Sequence, residues 1–509
     1  MRRLELGRRS AVLAAASFVA ASVAAIAPHA SAGDAGCASP LACGTPVAIM
    51  QTQERNAADA FRNGYMTELD FKTAAQKPGD LAGANGFYDS GLWTGVYLGG
   101  ESMRYATAKH YLADKHLSAP DAAFWTAQRS ESYARVKAMV EMYDRNINIA
   151  QDWHTSLKVP PTINPTSQFH TVDFGGGVFQ GEPGMIMRAC MPTTTPAAFG
   201  IPDDKHDENR TVGPFKWKDG KSYFCAGSPS RDTYAGTTFG LLTAFDLVSP
   251  DNPAMRHMIS KNVMTMTNFL FKWGWSYPRP WGYVSTNHDF DNFISPLMVY
   301  VPMAQLNMAN ASRHVADLDG TSAEKQKFDA IWESTFASEI GQLAGSFEVD
   351  AHPVDDSYFK WNLHHLTAFN LLRTTSGSER DVISKSFKFV DDTVGGDINA
   401  HFEAITYSMT GEKSRADAAI RDLGQWMAYR QNTANGKVIN NAKACGSACA
   451  APLPVAKRPP TDFIWQRSPR TDINGSQPAT HRTPGIDYMT PYWMLRYELE
   501  VVHPALRPF

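Results

Sequence analysis

Residues 88–95 read Tyr-Asp-Ser-Gly-Leu-Trp-Thr-Gly, and stretches of the same kind recur at 230–236, 356–362, 399–403 and 484–489. Each stretch joins polar and aromatic residues, and the sequence that follows turns apolar. A helix that is buried on most sides still exposes its first turn where that turn opens into a cavity. An acidic residue in that turn also complements the helix dipole. The pattern therefore predicts five buried helices whose first turns open into a cavity.

Glycines follow closely in two of these segments. Gly95, Gly99 and Gly100 come after the first stretch, and Gly236 and Gly240 come in or after the second. A residue without a Cβ atom lets another backbone approach closely. These positions therefore predict close packing between neighbouring helices.

Helical periodicity dominates the remainder of the chain, whereas the alternating pattern of strands is scarce. Thr321 and Glu324 have the spacing of a capping box at the start of one helix. About twelve helices are expected from Gly91 onward, in an all-α fold with two long irregular excursions at about 155–231 and 436–487. Seven segments allow helices of ordinary length: Asp121–Ile149, Asp251–Trp273, Phe293–His314, Ser322–Ala344, Tyr358–Arg373, Glu379–Asp392 and Lys413–Gln431.

Composition excludes two classes of protein. The chain has 509 residues, of which 43% are hydrophobic and 19% are charged, so it can bury a large core and is not a disordered protein. The formal net charge is −3. A nucleic-acid-binding protein would usually carry a strong basic excess, so nucleic acid is not an expected partner.

The N-terminus has the features of an export signal. Arginines precede an apolar stretch that is rich in Ala and Val, and residues 30–32 form a small-x-small cleavage site. The pair Arg8-Arg9 resembles a twin-arginine signal. The short stretch favours a cleaved signal over a membrane anchor, and no later run reaches the length of a membrane span. We expect a secreted or periplasmic protein with a signal at 1–32, an N-terminal segment at 33–84 and one domain at 85–509.

Six cysteines lie after the expected cleavage site. An even number in an exported chain favours disulfides, and proximity in sequence favours three pairings among fifteen. No pair of histidines flanks the last two cysteines at zinc-finger spacing, which argues against a zinc site. The favoured pairs are Cys37–Cys43, Cys190–Cys225 and Cys445–Cys449.

Helices with acidic, aromatic first turns resemble the (α/α) toroid of the six-hairpin glycosidase superfamily. The resemblance covers about residues 85–502 and lies in the style and spacing of the helix starts. It implies an (α/α)6-type toroid in which an inner ring of helices presents its N-terminal ends to a carbohydrate-binding cleft. A poly- or oligosaccharide is then the expected partner, and the oligomeric state stays open.

Three carboxylates at the predicted helix starts are the catalytic candidates: Asp89, Asp232 and Asp487. Two carboxyl groups that face each other across a cleft can act as general acid and general base on a glycosidic bond. The acid needs a raised pKa, which partial burial can provide. The alternative is that each Asp only satisfies backbone N–H groups at the start of its helix. Sequence does not assign acid and base among the three.

Aromatic and polar residues near these carboxylates are candidates for binding a sugar, because flat rings stack on sugars and polar groups bind hydroxyls. The densest polar cluster is 287–292, and helix entry or a structural calcium ion is its alternative role. No other cofactor is expected. The candidate binding residues are Trp93, Arg231, Tyr234, Trp281, His288, Asp289, Asp291, Trp361 and Tyr488.

We therefore predict an exported glycoside hydrolase. One alternative is a polysaccharide lyase that removes the C5 proton of a uronate with His and Tyr, drawing on His170, His288, His365, Tyr234, Tyr488, Arg231 and Arg482. A second alternative is a glycan-binding envelope protein without catalytic activity. The sequence has no Gly-x-Ser-x-Gly elbow, no His-Glu-x-x-His zinc helix and no phosphate-binding loop.

Overall fold

A computed structural model describes residues 41, 44–151, 154–155, 169–171, 179–201, 211–227, 229–275, 283–285, 300–345, 358–426, 452, 454–455, 458, 463–466, 468–470, 478 and 480–503. The expected export signal and the pairs Cys37–Cys43 and Cys445–Cys449 lie outside these residues. The polar cluster at 287–292 lies outside them as well.

The part of the chain that the structure describes is mostly helical, as predicted, and contains twelve α-helices. All seven predicted helical segments are helical where they are described, with shifted ends. The helices are α1 (Gly44–Ala60), α2 (Ser90–Leu112), α3 (Ala119–Asn148), α4 (Arg231–Leu247), α5 (Pro253–Lys272), α6 (Tyr300–Asp319), α7 (Ser322–Gly345), α8 (Phe359–Thr374), α9 (Gly377–Val394), α10 (Ala400–Thr410), α11 (Lys413–Gly424) and α12 (Ile486–Tyr497).

The five polar and aromatic stretches lie where predicted, at the starts of α2, α4, α8, α10 and α12. The predicted capping box also forms at the start of α7. Thr321 N donates to Glu324 Oε2 at 2.8 Å, and Glu324 N donates to Thr321 Oγ1 at 3.3 Å. Local sequence thus places these helix starts correctly.

Helices α2 and α4 lie side by side and run in the same direction. Gly91 lies against Thr233, Gly95 against Gly236, and Gly99 against the ring of Phe239. Helix α12 lies on the other flank of α2, also parallel, since Thr490 Oγ1 donates to Val96 O at 3.0 Å and Arg104 lies over Trp493. The N-terminal ends of these three helices therefore lie at one end of the molecule.

The same parallel arrangement continues from α4 through α6 and α8 to α10, and α10 packs against α12. Side chains join these helices at matching levels. The joining pairs are Asp246 with His314 for α4 and α6, Asn307 with Asn370 for α6 and α8, Asn362 with His401 for α8 and α10, and Ser408 with Glu498 for α10 and the turn after α12.

The remaining helices pack outside this parallel series. Helix α3 packs on α2, α5 on α6, α7 on α6, α9 on α8 and α11 on α10. Helix α1 packs on α12 and α11. Its Glu54 forms an ion pair with the buried Arg104 of α2, which ties the N-terminal segment to the helical body. Among the helices of the described residues, none has the length and apolar character needed to cross a membrane.

Short antiparallel strands lie in the connections between helices. One three-stranded sheet has the order β3 (Ala189–Pro192), β5 (Ser222–Ala226), β4 (Thr211–Lys216). Cys190 and Cys225 are register partners in this sheet and form a disulfide, which confirms one predicted pair. A second sheet joins β6 (His481–Arg482), β1 (Glu68–Phe71) and β2 (Leu81–Asn85). The first irregular excursion is thus partly a disulfide-linked sheet.

The predicted close packing of glycines is confirmed between α2 and α4. A Cβ atom added to Gly95 would lie 1.9 Å from Gly236 O, and one added to Gly236 would lie 2.5 Å from Leu92 O. A Cβ at Gly240 would lie 2.6 Å from Gly95 O. The two backbones are therefore in direct contact, and no side chain fits between them at these positions.

Replacing Gly95→Ala is expected to lower the free energy of unfolding by at least about 2 kcal/mol, because the new methyl group meets backbone atoms that cannot yield without separating the helices. Gly424→Ala, at the end of α11, is the matched control, since a Cβ there meets nothing within 4 Å. That variant should be neutral or slightly stabilising. Thermal unfolding of both variants checks this, and equal melting temperatures would contradict the close contact.

Removing the disulfide through a Cys190→Ala, Cys225→Ala double variant is expected to cost about 2–4 kcal/mol of stability, because the bond closes a long loop in the unfolded chain. The two cysteines are 35 residues apart. Chemical denaturation of the variant, beside the oxidised wild-type protein, measures this cost. An unchanged midpoint of denaturation would show that the disulfide does not stabilise the folded protein.

Candidate functional site

Two of the three predicted catalytic carboxylates come together at the adjoining ends of α2 and α4. Asp89 directly precedes α2, and Asp232 is in the first turn of α4. Because Gly91 packs against Thr233, these two first turns are in contact. Burial raises the pKa of the Asp232 carboxyl, and the negative charge of Asp89 acts in the same direction.

Neither carboxylate caps its helix. The side chain of Asp89 makes no capping hydrogen bond, although Asp89 holds the N-cap position. Helix α4 is capped by Ser230 and Thr233, which bond each other's backbone in a capping box. The Asp89 side chain therefore does not fill the alternative role of helix capping, whereas the Asp232 carboxyl accepts a hydrogen bond from its own backbone N–H in the first turn of α4.

Asp89 and Asp232 differ in their surroundings. The side chain of Asp89 is 51% exposed, and its Oδ1 lies 3.6 Å from Arg188 Nη1. Burial is the largest cause of the raised pKa of Asp232, and the charge of Asp89 adds to it. Arg231 and Arg188 oppose this effect without cancelling it. The pair thus combines a carboxyl group with a raised pKa and an exposed carboxyl group beside a guanidinium.

Arg188 is a member of the site that sequence reasoning missed. Its Nη1 donates to Tyr88 O at 2.9 Å, and its backbone N donates to Ala226 O at 2.9 Å. It lies two residues before Cys190, at the edge of the disulfide-linked sheet. The cysteine pair was the only signal in the sequence that this irregular stretch is held rigidly near the helix ends.

Asp487, the third catalytic candidate, is fully buried and holds a turn of the chain. Its Oδ2 accepts a hydrogen bond from Ile464 N at 3.0 Å. On the other side of the same residue, Asn399 Nδ2 donates to Ile464 O at 3.3 Å. The side chains of Asp487 and Asn399 therefore form hydrogen bonds with both the backbone N–H and the backbone C=O of Ile464.

The turn at Phe463–Gln466, here called the aromatic turn, lies over the N-terminal ends of α2 and α10. The rings of Phe463 and Trp465 stack at 5.0 Å. Phe463 packs on Trp93 of α2 at 5.0 Å, and Trp465 packs on His401 of α10 at 4.5 Å. Both rings are 2% exposed. Sequence reasoning missed this turn, which lies inside the second irregular excursion.

The aromatic residues predicted to bind a sugar are buried where the structure describes them, so their rings offer no exposed face in this arrangement. A ring that stacks on a sugar needs an exposed face, whereas Trp93, Tyr234, Trp361 and Tyr488 are at most 5% exposed. Tyr488 stacks on Tyr492 of its own helix. Of the other binding candidates, Arg231 lies beside Asp232, and Trp281, His288, Asp289 and Asp291 lie outside the described residues.

Among the described residues considered for lyase chemistry, Arg231 and Tyr234 lie in the first turn of α4 with Asp232, whereas Tyr488, Arg482 and His365 have other surroundings. Tyr488 donates its hydroxyl to Pro46 O at 2.9 Å, and Arg482 forms an ion pair with Asp59 of α1. His365 is buried, and burial lowers its pKa to about 4. His288 and the side chain of His170 lie outside the described part of the chain.

Replacing Asp232→Asn is expected to raise the melting temperature at pH 8 and to have little effect near pH 4. A folded-state pKa above the unfolded value means that ionised Asp232 costs stability as pH rises, and the amide removes this cost. Asp381→Asn, at an exposed position of α9, controls for a general effect of charge. A gain that is equal at both pH values would contradict the assigned burial of Asp232.

The geometry defines a candidate acid–base site at the ends of α2 and α4, made of Asp89, Asp232, Arg188 and Arg231. No group of three or more His, Cys, Asp or Glu side chains with the arrangement of a metal site occurs within the residues that the structure describes.

Comparison of the chain with models of protein families, with curated proteins and with solved structures gives no match.

Proposed function

We propose that this protein is a glycoside hydrolase that uses Asp232 as general acid and Asp89 as nucleophile or general base. The observation that carries the proposal is the placement of two carboxyl groups on adjoining helix ends in unlike environments. Pairs of titratable groups whose surroundings separate their pKa values mark the acid and its partner in many enzymes. The raised pKa of Asp232 supports its role as the proton donor.

The proposed reaction needs only these groups and water. Asp232 gives its proton to the glycosidic oxygen as the bond from that oxygen to the anomeric carbon breaks. The electron pair of the bond stays with the leaving oxygen. In one course, the Asp89 carboxylate takes a proton from a water molecule as that water attacks the anomeric carbon. In the other, the carboxylate itself attacks, and a water molecule that gives its proton to Asp232 then cleaves the glycosyl–Asp89 ester and frees the carboxylate. The exposure of Asp89 supports access of water in both courses. The guanidinium of Arg188 restrains Asp89 through their ion pair.

We also propose that the helices form an (α/α)6 toroid. The parallel series α2, α4, α6, α8, α10 and α12, in which α12 returns to α2, supports an inner ring. Helices α3, α5, α7, α9 and α11 would form the outer ring, and α1 would supply its sixth member beside α12. In that case the toroid begins near residue 44, so part of the segment 33–84 belongs to it.

Two features support hydrolysis over the alternatives. The one described histidine considered for elimination, His365, stacks on Phe402 between helices, whereas Asp89 and Asp232 adjoin each other. A protein that only binds glycans would have no need of a carboxyl group with a raised pKa beside a second carboxylate.

Export remains part of the proposal, and the disulfide Cys190–Cys225 supports it because such bonds persist in oxidising compartments.

The test is a panel of neutral, acidic and cell-envelope polysaccharides incubated with the purified mature chain. We expect new reducing ends without the ultraviolet absorbance of an unsaturated uronate. Asp232→Asn and Asp89→Asn should each lower kcat by about 100-fold or more, the usual contribution of one acid or base group. Asp381→Asn should keep full activity, and the anomeric form of the first product identifies the role of Asp89.

Two results would contradict the proposal. Ultraviolet-absorbing products would indicate elimination and therefore a lyase. Full activity in Asp232→Asn, in a variant that remains folded, would remove that residue from the acid role. Binding without any cleavage across the panel would favour the glycan-binding alternative.

A further inference from the structure

His481 lies between two carboxylates in the sheet formed by β6, β1 and β2. Its side chain is fully buried, and its Nδ1 donates to Asp70 Oδ1 at 3.1 Å. Its Nε2 lies 3.5 Å from Glu68 Oε1. Glu68 and Asp70 are two positions apart on β1, so their side chains share one face of that strand. A ring that donates to both carboxylates carries a proton on each nitrogen, which makes it a cation.

The surroundings of the ring favour this charged form. Burial lowers the pKa of His481, but the charges and hydrogen bonds of Glu68 and Asp70 outweigh burial and raise that pKa above its ordinary value. Asn85 Nδ2, on β2, donates to Asp70 Oδ2 at 2.5 Å and so fixes one of the two carboxylates. The three strands are therefore joined on one face by a chain of polar contacts with His481 at its centre.

The next residue of β6 takes no part in these contacts. Successive side chains of a strand point to opposite faces, and Arg482 forms an ion pair with Asp59 of α1 at 2.8 Å. Its guanidinium also lies over the ring of Phe71. The backbone C=O of His481 accepts a hydrogen bond from Gln76 Nε2 at 2.9 Å. The charge of Arg482 is thus used on the other face, and the carboxylates of β1 face the ring of His481.

Glu68 also contacts the turn that carries Asp89. Strand β2 ends at Asn85, and the chain then turns at Gly86, where φ is +75°. A Cβ atom built on Gly86 would lie 3.1 Å from Glu68 Oε2, and closer still to the ring of Trp93. Gly86 O accepts a hydrogen bond from Asp89 N at 3.1 Å. The Glu68 carboxylate therefore packs against the backbone of a tight turn that ends at Asp89.

We propose that His481 is a positioning residue for the acid–base site, and that its protonated ring holds Glu68 against the turn of Asp89. The part of this proposal that concerns catalysis rests on the proposed glycoside hydrolase function. Loss of the proton from the ring deprives both carboxylates of their buried partner, which weakens the contacts that join the strands. The turn of Asp89 then loses its support as pH rises, although His481 itself touches neither Asp89 nor Asp232.

Hydrogen–deuterium exchange of the full mature chain measures the turn without any substrate. His481→Gln keeps a polar side chain but removes the charge. At pH 6 we expect the amides of residues 86–89 to exchange about tenfold faster in this variant, the effect of one lost hydrogen bond to a charged group. His116→Gln, at an exposed position after α2, is the matched control and should exchange as the wild-type protein does. Glu68→Gln should act as His481→Gln does, and it replaces that variant if circular dichroism shows that His481→Gln is unfolded.

The dependence on pH distinguishes a charged partner from a side chain that only fills space. Because the pKa of His481 is raised in the folded protein, the stability that its proton gives is complete below the unfolded value of about 6.5. That stability is lost as pH rises through the folded value. The melting temperature of the wild-type protein should therefore exceed that of His481→Gln at pH 6, and the two should approach each other at pH 9.

Activity measurements test the positioning of Asp89 on whichever polysaccharide the wild-type protein cleaves. We expect kcat of His481→Gln to be lower by about tenfold at pH 6, because a small misplacement of a reacting group is costly. The ratio of the two kcat values should approach one as pH rises, since the wild-type ring then becomes neutral as well. Ionisation of Asp232 lowers the activity of both proteins alike, so this ratio isolates the effect of His481.

The proposal is overturned if residues 86–89 of His481→Gln exchange as they do in the wild-type protein. It is also overturned if the difference in melting temperature, or the ratio of kcat values, is the same at pH 6 and pH 9. A panel of polysaccharides without any cleavage would instead remove the proposed hydrolase function. Exchange and melting would then still decide whether protonated His481 holds the turn of Asp89, because neither measurement needs a substrate.

Discussion

Direct backbone contact between α2 and α4 is the constraint on which the candidate site depends. At Gly95, Gly236 and Gly240 no side chain separates the two helices. Because the helices are also parallel, this contact brings their first turns together. Asp89 and Asp232 become neighbours for that reason, and the charge of one can then act on the other. Wider helix spacing would leave two unrelated surface carboxylates.

The irregular segments give this pair its asymmetry. The disulfide-linked sheet places Arg188 beside the exposed Asp89, while Asp232 is less exposed and has a raised pKa. The aromatic turn comes from the other end of the chain and covers the adjoining helix ends. Asp487 holds this turn at Ile464, so that acidic side chain at a helix start serves the fold, whereas Asp89 and Asp232 stand beside each other as the candidate acid–base pair. Helix starts that share the same pattern of polar and aromatic residues therefore have different roles.

Much of the helical framework could be predicted because its signals are local. Apolar periodicity placed the seven long segments, and the spacing of Thr321 and Glu324 placed a helix start. Proximity in sequence was enough to pair Cys190 with Cys225. Sequence reasoning also paired Asp89 with Asp232 as candidates, but only together with Asp487. The Asp487 side chain could not be separated from them, since its partner Ile464 lies 23 residues away in an irregular stretch.

The sequence by itself determined where helices begin, which faces are apolar and which glycines allow close packing. These properties depend on residues within a few positions of one another, through periodicity, capping and the absence of a Cβ atom. Only the tertiary structure decided which polar groups are exposed, which are buried and which lie side by side. Trp361 and Asp89 occupy similar positions at helix starts, yet one is covered and the other is open to solvent. That outcome depends on which distant segment packs over each helix end, and no local pattern encodes it.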